Sequence, residues 1–66
     1  MAPAAWVVVV WNRRTNRWDA KTPLLIEQEA ERAREKLLTR LGRHESEVQK
    51  ARFGVGALPA PAGTAS

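Results

Sequence analysis

Apolar and polar positions change period twice along this chain, and the changes mark its elements. Trp6-Val7-Val8-Val9-Val10-Trp11 is a run of β-branched residues between two aromatics, which favours a strand and places apolar side chains on both of its faces. The polar cluster Asn12 to Arg17 separates it from Trp18. That pattern predicts a hairpin, with a loop at 13–16, Asn16 in the left-handed conformation, and a second strand over 17–20. With that loop Asn12 faces Arg17, Trp11 faces Trp18 and Val9 faces Ala20.

The period then becomes helical. Ile26, Ala30, Ala33, Leu37 and Leu41 recur at three or four residues, with Glu29, Arg32, Glu35, Lys36 and Arg40 on the other side. Thr22-Pro23 offers a capping hydroxyl and a proline suited to the first helical position, and Gly42 offers a stop. The spacing predicts a helix from Thr22 to Leu41. The pairs Glu29/Arg32, Glu31/Arg34 and Arg32/Glu35 read as a solvated face.

From Glu47 to Val55, Ala51, Phe53 and Val55 alternate as in a strand, although the residue types also suit a second helix over 45–53. A strand is the better reading, because a first strand apolar on both faces needs a neighbour on each side. The expected fold is therefore a small α+β single domain over residues 1–55, β-β-α-β. Its three-stranded sheet has order 2-1-3, with strand three parallel to strand one after a crossover and one helix on one face. Residues 56–66, rich in Pro, Ala and Gly, are expected to form a flexible, disordered tail.

Alternation sorts the strand residues into two faces. One holds Val7, Val9, Trp11, Trp18, Ala20, Ala51, Phe53 and Val55; being almost wholly apolar, it is expected to take the helix. The other holds Trp6, Val8 and Val10, flanked by Arg17, Asp19 and Lys21 on one side and by Val48, Lys50 and Arg52 on the other. It reads as an uncovered apolar stripe with basic edges. The candidate partner-binding residues are accordingly Trp6, Val8, Val10, Arg17, Lys21, Lys50 and Arg52.

Composition narrows the function classes. A chain of 66 residues has a core seldom worth more than about 3–5 kcal/mol alone, and it commonly gains support from disulfides, a metal or association. There is no cysteine and one histidine, His44, so association is the support left; a cysteine-free chain also suits a reducing cytoplasm. The apolar start lacks the basic segment and cleavage site of a signal peptide and is too short to span a bilayer. Eleven Lys and Arg against seven Asp and Glu give +4. Four bases against Asp19 between Asn12 and Lys21 concentrate the excess in the hairpin, where Arg13, Arg14 and Arg17 are possible phosphate-binding residues.

Candidate chemistry is thin. His44 with Glu45 and Glu47 lacks the spacing of known metal ligand sets, and no metal or cofactor is expected. Neither His44 nor Asp19 stands beside a nucleophile in a catalytic pattern, so no enzymatic activity is expected. These features point to a small non-catalytic binding protein, a homodimer or a regulatory or inhibitory partner of another protein, of the kind found in bacteria and their phages. The alternative is a nucleic-acid binder using the basic hairpin and the open sheet face. No membrane partner is expected.

Overall fold

The structure, a computed structural model, describes residues 4–54 and 58–61. Strand β1 (Trp6–Asn12) turns into β2 (Arg17–Ala20), helix α1 (Glu27–Leu41) follows, and a 3-10 turn at Glu45–Glu47 leads into β3 (Val48–Arg52). The sheet order is β2-β1-β3. The α+β class, the element order and the central place of β1 agree with the sequence reading, as does a strand over Val48–Arg52 in place of a second helix.

The hairpin forms for local reasons. Asn12 Oδ1 accepts from the Arg14 and Thr15 amides at 2.9 and 3.2 Å, and the Asn12 carbonyl accepts from the Asn16 amide at 2.8 Å. Asn16 takes φ 55°, a conformation that asparagine tolerates better than most residues. The resulting register pairs Trp11 with Trp18, Asn12 with Arg17 and Val9 with Ala20, as expected.

Strand β3 runs antiparallel to β1, with Val10 opposite Val48 and Trp6 opposite Arg52. The expected parallel pairing fails because the helix leaves β2 and not β1. A crossover returns the chain parallel to the strand it left, and β2 itself runs against β1. Strands β2 and β3 are thus parallel to each other, with β1 between them.

The helix begins at Glu27, five residues later than expected. Strand β2 covers only Val9–Asn12 of β1, so the edge of Trp6–Val8 would hold unpaired backbone groups. The linker supplies partners: Lys21 N donates to the Val8 carbonyl at 2.8 Å, Thr22 Oγ1 accepts from Val8 N at 3.0 Å, and Leu25 exchanges two hydrogen bonds with Trp6 at 2.8 and 2.7 Å. Thr22 therefore caps the strand edge and leaves the helix end to Glu27 and Glu29, whose charges suit its positive pole. Gly42 ends the helix at φ 63°, as its position predicts.

The face beneath the helix is the one expected to be free. Val8, Val10 and Val48 form the core with Ala30 and Leu37, and Trp6, Leu25, Ala33 and Leu38 pack around them. Val8 and Val48 are wholly buried, so neither Val8 nor Val10 is available to a partner in this fold. Leu38 takes the place expected of Leu41, which is exposed. Two causes favour this face. The helix contacts it through alanines, which come close to a low surface of valines more readily than to paired indoles. The flanking charges also have partners on the helix: Lys50 Nζ lies 2.8 Å from both Glu27 and Glu31 and 5.2 Å from the centroid of the Trp6 ring. Arg34 donates to the Val48 and Glu45 carbonyls. Glu31 and Arg34, expected to pair along the helix, instead hold it to β3.

Replacing Val8 with Ala should cost about 2–3 kcal/mol, and Val8→Asp should abolish folding in a core this small. Circular dichroism with urea titration measures both.

Candidate functional site

With the helix on the Trp6–Val8–Val10 face, the uncovered surface is the opposite one. Trp11 and Trp18, brought together by the hairpin register, meet edge to face with ring centroids 5.2 Å apart and planes at 69°. Such a pair stabilises the hairpin by about 0.5–1.5 kcal/mol beyond its buried area. Together with Val9, Asn16, Arg17 and Ala51, the two indoles line an open groove of about 480 Å³. Val9 lies in it at 7% exposure, beside half-buried Trp11, Trp18 and Ala51.

Part of this groove is lined by the chain's own C-terminal stretch. Leu58 and Ala60 contribute to its wall, and Trp18 Nε1 donates to the Pro59 carbonyl at 3.3 Å. Pro61 is buried. Of the segment expected to be a tail, Leu58–Pro61 therefore lie against the sheet; Gly56, Ala57 and residues 62–66 fall outside the described residues, as does Val55. Phe53, expected on this face, stands in the turn after β3 at 69% exposure, its amide bonded to the Ala5 carbonyl at 2.7 Å.

The predicted partner-binding residues thus separate. Trp6, Val8 and Val10 belong to the helix interface, and Lys50 is engaged with Glu27, Glu31 and Trp6. Arg17, Lys21 and Arg52 are exposed, and none of their side chains has a hydrogen bond or ion pair among the described residues. Arg17 stands at the lip of the tryptophan groove. Lys21 shares a second hollow, of about 420 Å³, with Lys36 and Arg40, and no carboxylate lines it.

The three hairpin arginines also part company. Arg13 is not free for phosphate: its guanidinium makes a two-pronged contact with Glu47, with Nε 2.7 Å from Oε2 and Nη2 on Oε1. Glu47 is 1% exposed, and Arg43 lies 3.6 Å away while donating to the Trp11 carbonyl at 3.1 Å. This acid ties the hairpin tip to the turn before β3. Sequence reasoning missed it, because its two-pronged partner lies 34 positions away; the i,i+4 spacing from Arg43, which Glu45 lacks, was the one local signal. The side chains of Arg14 and Arg17 have no partner among the described residues.

The Arg13 hydrogen bonds hold the Glu47 carboxyl below its ordinary range, outweighing the burial that acts against them, with the charges of Arg13, Arg43 and His44 adding to the effect. His44 Nδ1 accepts from Ser46 N at 3.1 Å and contacts Ser46 Oγ at 2.7 Å, capping the 3-10 turn. Asp19 accepts from Asn12 Nδ2 at 3.0 Å. Among the described residues no three His, Cys, Asp or Glu are grouped so as to hold a metal ion, and no helix is long and apolar enough to cross a membrane.

Comparisons with family models, with curated proteins and with solved structures gave no match.

A group with a lowered carboxyl pKa in the folded state contributes stability at pH values above its unfolded pKa, and that contribution is lost as pH falls through the lowered folded value. Glu47→Gln should therefore lower stability at neutral pH by about 1–3 kcal/mol, and the gap from wild type should close in acid. Thermal unfolding of both proteins from neutral pH to below pH 4 measures this. An equal gap at every pH would remove the Arg13–Glu47 charge pair from the account.

Proposed function

We propose that this protein is a non-catalytic binding module that engages another polypeptide through the sheet face bearing Val7, Val9, Trp11, Trp18 and Ala51. The supporting observation is the placement of the helix: it covers the other face and leaves the paired tryptophans in an open groove. Indole rings supply large, rigid contact area with a polar N–H at one end, and tryptophan and arginine are the residue types that most often carry binding energy at protein interfaces. Arg17 at the groove's lip fits that composition. The side chains that a catalytic reading would need are committed to local structure, Asp19 to Asn12, His44 to Ser46 and Glu47 to Arg13.

A second reading, nucleic-acid binding, draws on two features of the same surface. The open face carries two indoles on which bases could stack, and Arg14 and Arg17 are cations without partners among the described residues. Lys21, Lys36 and Arg40 add a separate basic hollow. The first reading is preferred because the two rings meet edge to face with planes at 69°, whereas stacking platforms present ring faces to successive bases.

Val7→Asp, on the open face, should leave the fold and thermal midpoint close to wild type, in contrast to Val8→Asp on the helix side. Light-scattering mass at low and high salt, with absorbance at 260 and 280 nm read across the peak, then separates the readings. Association that survives high salt and is missing from Val7→Asp supports a protein-binding face. Nucleic acid carried at low salt, shed at high salt and unaffected by Val7→Asp would overturn it, since phosphate contacts weaken steeply with salt.

A further inference from the structure

We propose that the tryptophan groove receives a proline-containing extended peptide of a partner protein, with an acidic residue beside the prolines, and that Leu58–Pro61 is the chain's own occupant of that site. The inference rests on the reading of this face as a protein-binding surface and names the class of ligand it takes.

Proline fixes φ near −65°, and the residue before a proline is pushed towards extended backbone. Leu58-Pro59-Ala60-Pro61 alternates the two constraints, so it favours a polyproline-type conformation in sequence terms, and the four residues belong to no helix, strand or turn. In that conformation carbonyls make no internal hydrogen bonds and remain available as acceptors. Trp18 Nε1 uses one of them, the Pro59 carbonyl. An aromatic-lined groove with an indole donor aimed at a proline carbonyl is how proline-rich segments are recognised, because the ligand is already stiff and loses little entropy on binding.

The resident segment leaves Arg17, on the groove wall, without a counter-charge. The hydrogen bond from Trp18 to the Pro59 carbonyl is exposed and 3.3 Å long. Arg17 lines the groove but has no ion pair among the described residues, and the chain holds no Asp or Glu between Phe53 and Ser66. A partner peptide that places a carboxylate near Arg17 gains a charge-assisted contact that the chain's own segment cannot make. Tethering gives the resident segment a high effective concentration, so it screens the indoles until such a ligand displaces it.

The test uses the full chain, labelled with nitrogen-15, and two synthetic peptides: Ala-Leu-Pro-Ala-Pro-Ala and the same peptide with glutamate at both ends. Indole and backbone amide signals report both the fold and the binding. The double variant Pro59→Gly, Pro61→Gly weakens the resident segment without touching the core. It should bind the glutamate peptide at least about fivefold more tightly than wild type does, because less of the groove is occupied by competitor. Trp18→Phe in that background, which keeps a ring and removes the N–H, should weaken binding about three- to tenfold. Arg17→Ser should erase the preference for the glutamate peptide.

Equal affinity of wild type and double variant would overturn the role of Leu58–Pro61, and failure of both proteins to bind either peptide would overturn the ligand class. In the latter case, salt-resistant self-association of the double variant would show that the face binds protein of another kind. A double variant that neither binds peptide nor associates, and that binds a single-stranded oligonucleotide, would overturn the protein-binding reading as well.

Discussion

Strand β1 carries apolar side chains on both faces, and a chain with one helix can lay it over only one of them. Every larger feature of the structure follows from how that constraint is met. The helix takes the valine face, where Ala30 and Ala33 allow close approach and where Lys50 stands ready for Glu27 and Glu31. The tryptophan face is left to the hairpin's own ring pair and to Leu58–Pro61. Burial of Val8, Val10 and Val48 thus secures the fold, while the indoles remain where a second polypeptide can reach them.

Polar contacts make the choice of face specific. Lys50 is held by two helix carboxylates and lies over Trp6, which fixes the helix against β3 at the entry of β1. Arg34 does the same further along, through the Val48 and Glu45 carbonyls. At the other end Arg13 and Arg43 converge on Glu47, which ties the hairpin tip to the turn before β3. The basic character of the sequence is in part structural: Arg13, Arg34, Arg43 and Lys50 serve as ties between elements, and Arg14, Arg17, Lys21, Arg32, Lys36, Arg40 and Arg52 remain for solvent or a ligand.

Much of the fold was legible in the chain. Trp11, the polar cluster and Trp18 were enough to specify the hairpin and its register, and Asn16 and Gly42 marked two of the three positive-φ positions among the described residues, Gly54 being the third. Alternation set Trp6, Val8, Val10, Val48 and Lys50 apart from Val9, Trp11, Trp18 and Ala51, as the structure has them, whereas Arg17, sorted with the former, lines the tryptophan groove and Phe53 stands in the turn after β3. What it could not decide was which face the helix would choose, because counting apolar residues favoured the tryptophan side. Relief and charge decided otherwise, and the deciding pairs, Lys50 with Glu27 and Glu31, join residues about twenty positions apart. The direction of β3 was open to reasoning, since the helix departs from β2. Glu47 was not, because its burial depends on Arg13 arriving from the far end of the hairpin.

The central claim is that the helix and the Trp11–Trp18 pair lie on opposite sides of the sheet. A nuclear Overhauser spectrum of the full chain tests it most directly, through the methyl groups of β1. The account predicts contacts from Val8 and Val10 to Ala30 and Leu37, and from Val9 to Trp11, Trp18 and the Leu58–Ala60 stretch. Contacts from Val7 or Val9 to Ala30 and Leu37, with Val8 and Val10 facing solvent, would place the helix over the indoles and contradict the assignment of the binding face.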